Sequence, residues 1–241
     1  MAVNRLWLVR HGESEGNVAA TEAEHAGSAT ISLATRDADV VLSAVGEEQA
    51  RALRVWLESV ESAIDEYWVS PYRRARQTLE LALNDAPVSV HTVVDERLRD
   101  RELGILDLLT ARGVQERHPE EAARRQHLGK FYHRPPGGES WADVALRLRS
   151  FLAERLTRPA DTALVVAHDA VVMLFLYVLL PMDEAELLEF AAGNTVRNAS
   201  VTELVREGDE WRLVGFSSVD HLASEGADIT VHSGDDDVQP N

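Results

Sequence analysis

Two short apolar runs, each ending on a histidine, constrain this chain more than any other feature. Arg5–Val9 (RLWLV) leads directly into Arg10-His11-Gly12, and Thr162–Ala167 (TALVVA) leads into His168-Asp169. A run that is apolar throughout fits a strand buried on both faces of a parallel sheet. Such a sheet needs helices from crossover connections to cover it, and the chain supplies them. Gly46–Val60 places Ala50, Leu53, Leu57 and Val60 on one helical face. Tyr67–Val69 reads as a strand, with Ser70-Pro71 as the cap and first residue of a helix to about Leu83. Val88–Val94 reads as another strand, and residues 104–137 as two polar helical pieces divided near His118-Pro119. Ser140, with Asp143 three residues on, opens a helix whose stripe is Val144, Leu148, Phe151 and Leu152. One helix follows His168-Asp169 to Leu180 and another covers Asp183–Phe190. Ser200–Arg206 and Trp211–Phe216 are strands joined by a turn at Glu207–Glu210. The predicted class is α/β, with a mainly parallel central sheet and helices on both faces.

Ligands of open α/β sheets bind beyond the carboxyl ends of the strands, so His11 and His168 are expected to face one pocket. A single histidine at a strand end is usually a hydrogen-bonded loop residue. Two at equivalent ends, one within Arg-His-Gly, point to a site. Arg10 and the loop amides around Gly12, Gly16 and Asn17 suit a tetrahedral anion. Composition narrows the chemistry further. With no cysteine there is no disulfide framework and no thiol nucleophile. The nine histidines show no HExxH or other ligand spacing, so no metal is expected, and no Walker-type loop or GxGxxG is present. A net charge of −17 argues against nucleic acid as a partner. The longest apolar stretch, Ala170–Pro181, is too short to span a bilayer, and the N-terminus has no apolar leader; a cytoplasmic protein without membrane contact is expected. From about Ala223 the apolar pattern fades into an acidic stretch (Glu225, Asp228, Asp235, Asp236, Asp237) without Lys or Arg. This stretch reads as a disordered tail, residues 223–241, after a domain of residues 1–222.

The motifs carry a resemblance. Leu8–Asn17 (LVRHGESEGN) resembles the signature of the histidine phosphatase superfamily, the phosphoglycerate-mutase-like branch with an RHG motif. LSAVGEEQA (Leu42–Ala50), SPYRRARQT (Ser70–Thr78), RDRELG (Arg99–Gly104), GGES (Gly137–Ser140) and VVAHDAVV (Val165–Val172) resemble further family segments in the same order. The resemblance implies a phosphoglycerate-mutase-like fold with a helical lid at 104–137, and a phosphatase that needs no metal and no other cofactor. It implies His11 as the nucleophile that becomes a phosphohistidine. Arg10, Arg74 and His168 would hold the phosphoryl oxygens, and Asn17 would contact phosphate. Arg74 is preferred to Arg73 and Arg76 because the family's arginine directly precedes alanine.

The proton donor departs from the pattern. The family's usual glutamate, four residues before the glycine of R-E-x-x-x-G, is here Asp100. Asp169, beside His168, resembles the donor of the family's other branch. Asp100 is favoured, with Asp169 a substrate-contacting alternative or a helix cap. Residues 96–134 carry a net charge of +2, which suits a lid over an anionic substrate. The expected partner is a small phosphorylated metabolite, and a homodimer is compatible with the chain. A cofactor-dependent phosphoglycerate mutase is the alternative, although its F-x-G-W and E-R-x-Y-G-x-L-x-G stretches are not intact. A non-catalytic phospholigand-binding protein on the same fold ranks third.

Overall fold

The computed structural model describes residues 3–60, 64–84 and 92–232. Along the chain these form β1 (Arg5–Arg10), α1 (Glu15–His25), α2 (Ala44–Val60), β2 (Glu66–Val69), α3 (Arg73–Ala82), β3 (Thr92–Val94), α4 (Ala111–Arg117), α5 (Pro119–Tyr132), α6 (Trp141–Arg155), β4 (Thr162–Ala167), α7 (Asp169–Leu179), α8 (Glu184–Gly193), β5 (Val201–Glu207), β6 (Glu210–Ser218) and α9 (Asp220–Glu225). The strands make one sheet in the order β3-β2-β4-β1-β5-β6. The first four in that order are mutually parallel, whereas β5 and β6 run antiparallel at one edge. The α/β class and the mainly parallel sheet are therefore as expected.

Side-chain alternation explains why residues 6–9 of β1 and 163–167 of β4 are all apolar. Leu6, Leu8, Ala163, Val165 and Ala167 pack in one core with Val144, Leu148 and Phe151 of α6 and Val171 and Phe175 of α7. Trp7, Val9, Leu164 and Val166 point the other way, against Leu53 and Leu57 of α2 and Ala75 and Leu79 of α3. With a core on each face, neither strand has a solvent side to make polar. Truncating one of these leucines to alanine would cost about 2–5 kcal/mol. β1 and β4 are direct neighbours in register, with Arg10 opposite Ala167. His11 and His168 therefore leave the sheet side by side.

Local signals were read correctly at Ser140, whose hydroxyl and Asp143 form a reciprocal cap on α6. They misled at Ser70. The helix there starts at Arg73 after Tyr72, which makes no side-chain cap, and the Ser70 hydroxyl accepts from Tyr72 N at 3.3 Å and lies 2.8 Å from His168 Nε2. One buried hydroxyl thus serves both the turn before the helix and the histidine. Of the predicted strand Val88–Val94, only β3 falls among the described residues.

Residues 104–137 form α4 and α5, and the ends of this excursion are stitched together. Ile105 N donates to Pro136 O at 3.0 Å and Glu139 N to Glu102 O at 2.8 Å. Gly104 sits at φ 57°, and a Cβ there would lie 2.2 Å from Pro136 O, so only glycine fits the closure.

The tail expectation needs correction for residues 223–232. The chain completes α9 and then runs back over the start of α2 and the loop after β1. Gln49 Nε2 donates to Asp228 O and Thr230 Oγ1, both at 2.8 Å, and Asn198 N donates to Thr230 O at 3.3 Å. Residues 233–241 lie outside the described residues. Among the described residues, no helix is long and apolar enough to cross a membrane.

Candidate active site

The floor of the site is built by the two strand ends. His11 N donates to Ala167 O at 3.0 Å, tying the loop after β1 to the end of β4. His11 Nδ1 lies 2.6 Å from Gly12 O. A carbonyl only accepts, so Nδ1 carries the hydrogen and Nε2 presents its lone pair. Arg74 Nε donates to that lone pair at 3.3 Å. Burial, and then the charges of Arg74, His168 and Arg10, push the His11 imidazole well below the ordinary histidine range. The ring is therefore neutral at pH 7.

Arg74 is the hub. Its guanidinium donates to Asp37 Oδ1 at 2.8 Å and to Asp100 Oδ2 at 2.9 Å. Asp100 Oδ2 also lies 3.1 Å from His168 Nδ1, and Asp100 Oδ1 accepts from Arg101 N at 2.9 Å. Burial opposes ionisation of Asp100, but His168 and the Arg74 guanidinium hold its carboxyl well below the usual carboxylate range. His168 is itself buried, between Asp100 and Ser70, and its ring meets His11 edge-on at 5.2 Å between centroids.

Arg10 is fully buried and held by main-chain oxygens. It donates to Val196 O and His232 O, both at 2.6 Å, whereas its Nε has no partner among the described residues. A buried cation with one unanswered N–H is a ready partner for an anion.

The loop amides do not form the cradle expected of them. Gly12 N donates to Thr78 Oγ1 at 3.0 Å, Glu13 N to Gln49 Oε1 at 2.8 Å and Ser14 N to Asn17 Oδ1 at 3.1 Å. Gly12 serves close packing instead, since a Cβ on it would lie 2.6 Å from Gly46 O. Asn17 is the third residue of α1 and caps it reciprocally with Ser14, while also lining the cleft. Asp169 is the first residue of α7 rather than its cap, which is His168; its Oδ1 accepts from Ala170 N, and it too lines the cleft.

The cleft above this floor has a volume of about 490 Å3. Arg101, Leu106, Val114 and Arg125 contribute to its outer wall. Of the basic residues of 96–134, Arg101 and Arg125 reach the cleft, while five others are held in ion pairs. Arg97, Arg99, Arg112, Arg124 and Arg134 are paired with Asp95 and Glu154, Glu139, Glu116, Glu121 and Asp143 respectively. Arg10 and Arg74 place further positive charge at the floor.

His11, Asp100 and His168 bring potential metal-ligand atoms within 4.8 Å of one another. The same space already receives the Arg74 guanidinium, which bonds both His11 and Asp100. A second cation there would meet its full repulsion.

The sequence profile of the histidine phosphatase superfamily, branch 1, matches residues 6–218. The chain belongs to this superfamily. Curated relatives include a 6-phosphofructo-2-kinase/fructose-2,6-bisphosphatase of Caenorhabditis elegans, 28% identical over 86% of this chain and 43% of that protein. Another is the phosphoglycerate mutase-like protein AT74H of Arabidopsis thaliana, 35% identical over 67% of this chain and 56% of that protein. The chain thus spans about half the length of these relatives. Among solved structures, a mycobacterial glucosyl-3-phosphoglycerate phosphatase in complex with VO3 superposes with a TM-score of 0.70 at 26% identity, over 90% of this chain and 100% of that one. The alpha-ribazole phosphatase of Shigella flexneri gives 0.72 at 24% identity, over 89% and 96% of the two chains, and shares the fold.

In this member of the superfamily, Arg10, His11, Arg74, Asp100, Asn17 and Asp169 all line one cleft, with His168 directly behind it. Sequence reasoning missed the supporting residues Asp37, Ser70, Gln49, Asn198 and His232. The His232 ring bridges Thr21 Oγ1 at 2.6 Å and Glu13 Oε2 at 2.7 Å. One signal is available for it: Ile229-Thr230-Val231-His232 alternates apolar and polar residues within the stretch that reads as a tail from about Ala223.

Proposed function

We propose that this protein is a phosphatase that hydrolyses a small phosphomonoester without a metal, through a phosphohistidine on His11. The observation that carries the reading is the neutral, buried His11 ring. Its Nδ1 is fixed by Gly12 O, and its Nε2 lone pair faces the Arg74 guanidinium. In the proposed first step this lone pair forms the N–P bond while the P–O bond to the alcohol breaks. Arg74 and Arg10 Nε hold the oxygens of the transferring phosphoryl group.

The leaving oxygen needs a proton, and Asp100 is the proposed donor. In the free protein its carboxyl is held ionised by Arg74 and His168. A phosphate dianion draws Arg74 to itself and adds a like charge beside Asp100, and both effects raise the affinity of Asp100 for a proton. The substrate brings that proton, because its second ionisation lies near pH 6. Water then attacks phosphorus, Asp100 takes the water proton, and the N–P bond breaks to return His11 and release phosphate.

The test is phosphate release from a panel of monoesters by wild type and His11→Ala, with and without EDTA. Isomerisation of 3-phosphoglycerate in the presence of bisphosphoglycerate is assayed alongside. Release that depends on His11 and survives EDTA supports the reading. Isomerisation without release makes the protein a mutase, and binding without either makes it a phospholigand-binding protein.

A further inference from the structure

A second cavity, of about 480 Å3, lies beside the catalytic cleft. It opens between the two helices of the 104–137 excursion on one side and α8 on the other. Leu106, Val114 and Arg125 border both hollows, so these three side chains are all that need shift to join the second cavity to the cleft over His11. The cavity differs in chemistry from the cleft. Val114, Ala122, Leu188 and Ala191 give it hydrocarbon walls.

Gln115, Arg125, Gln126 and Lys130 border it as well, and one buried polar pair lies in its wall. His133 is 0% exposed, and its Nε2 lies 3.0 Å from Glu121 Oε2. Its Nδ1 is buried and has no hydrogen-bond partner among the described residues. Burial pushes the His133 imidazole below its ordinary range. With Nε2–H donated to Glu121, the neutral ring leaves Nδ1 as an acceptor without a donor. A polar atom left so in a cavity wall costs stability unless a ligand answers it.

We infer that this cavity receives the alcohol half of the phosphoester, a hydrocarbon body carrying a hydroxyl or N–H that reaches His133 Nδ1. The inference deepens the phosphatase reading and rests on it for the catalytic consequence. It makes the preferred substrate the phosphate of a largely apolar alcohol rather than of a polyhydroxylated one.

The test uses the full chain and 1-alkylphosphonates from methyl to decyl, which bind like the ester and cannot be hydrolysed at the P–C bond. Calorimetry should show affinity rising by about fourfold per methylene once the chain passes Leu106 and Val114. Ala122→Phe and Ala191→Trp, on opposite walls, should each flatten this rise. Both should leave the binding of methylphosphonate and of inorganic phosphate at wild-type levels. An ω-hydroxyl on the longer phosphonates should add about fivefold, and His133→Phe should abolish that gain. Affinity independent of chain length, or a rise that survives both wall substitutions, would overturn the inference. The two readings fail separately. Hydrolysis with a flat binding series removes only the cavity assignment. A rising series without hydrolysis of any ester removes the phosphatase reading and leaves the cavity as a ligand site.

Discussion

His11 and His168 stand at equivalent ends of paired strands, both buried and both below the ordinary histidine range, yet the protein uses them differently. His11 is fixed through Nδ1 by a backbone carbonyl and turns Nε2 toward a guanidinium in the cleft. His168 is held through Nε2 by Ser70, its Nδ1 lies 3.1 Å from Asp100 Oδ2 without hydrogen-bond geometry, and it does not line the cleft. A nucleophile needs a lone pair on the cleft side, and that of His11 Nε2 becomes available when Arg74 turns to a phosphoryl oxygen. In the proposed mechanism His11 reacts and His168 positions, although the sequence presents both as a histidine after an apolar run.

The sharpest way to break this contrast is to remove each ring. His11→Ala should cut phosphate release by about 10^4-fold or more and abolish an acid-labile, base-stable phosphoprotein adduct. An adduct persisting in that variant would overturn the assignment. Asp100→Asn should cost about 10^2–10^4-fold with an alkyl phosphate and far less with a good aryl leaving group. The same comparison on Asp169→Asn should show no such difference; the reverse result would move the acid to Asp169. Ending the chain after Gly226 removes the carbonyl that Arg10 NH2 bonds and the partner of Glu13. A hydrogen bond to a charged group is worth about 1.5–3 kcal/mol, so kcat/KM should fall by about 10–100-fold. Unchanged kinetics would show that the clasp on Arg10 is dispensable. Ser70→Ala should be milder, about fivefold in kcat, since Asp100 still flanks the other side of His168.

The smallest effect is a titration. Because the folded-state pKa of His11 is depressed, its ring stays neutral as pH falls through 6.5, and its NMR resonances should not move between pH 8 and pH 6. In the unfolded chain the same ring takes up a proton near pH 6.5. Stability contributed by keeping His11 neutral is therefore present above that pH and declines below it. A His11 midpoint near 6.5 in the folded protein would contradict the burial described here.

Much of this was legible in the sequence because it is local. The strands β1 and β4 declare themselves by unbroken apolar runs, α6 by its capping box, and His11, Arg74 and Asp100 by motif position. What was not legible depends on partners far along the chain. Ser70 looked like a cap because the distant partner of its hydroxyl, His168, lies 98 positions away. The glycines of the first loop looked like anion-binding amides because their engagement with Thr78, Gln49 and Gly46 is tertiary. The positive count in 96–134 looked like a field over the substrate because ion pairs with Glu139, Glu154 and Asp143 come from outside that segment. Asp228 is exposed, yet its main-chain carbonyl is bonded by the buried Gln49, 179 positions away.

The clasp of His232 on Arg10 has a consequence in time. The two residues are 222 positions apart, and ribosomes add about 5–20 residues per second. The guanidinium therefore waits on the order of ten seconds or more for the carbonyl that completes its seat. A nascent chain can fold β1 against β4 and carry an intact Arg-His-Gly sequence while Arg10 is still without this anchor. Completion of the Arg10 seat therefore follows translation of His232, 221 positions after the proposed nucleophile His11.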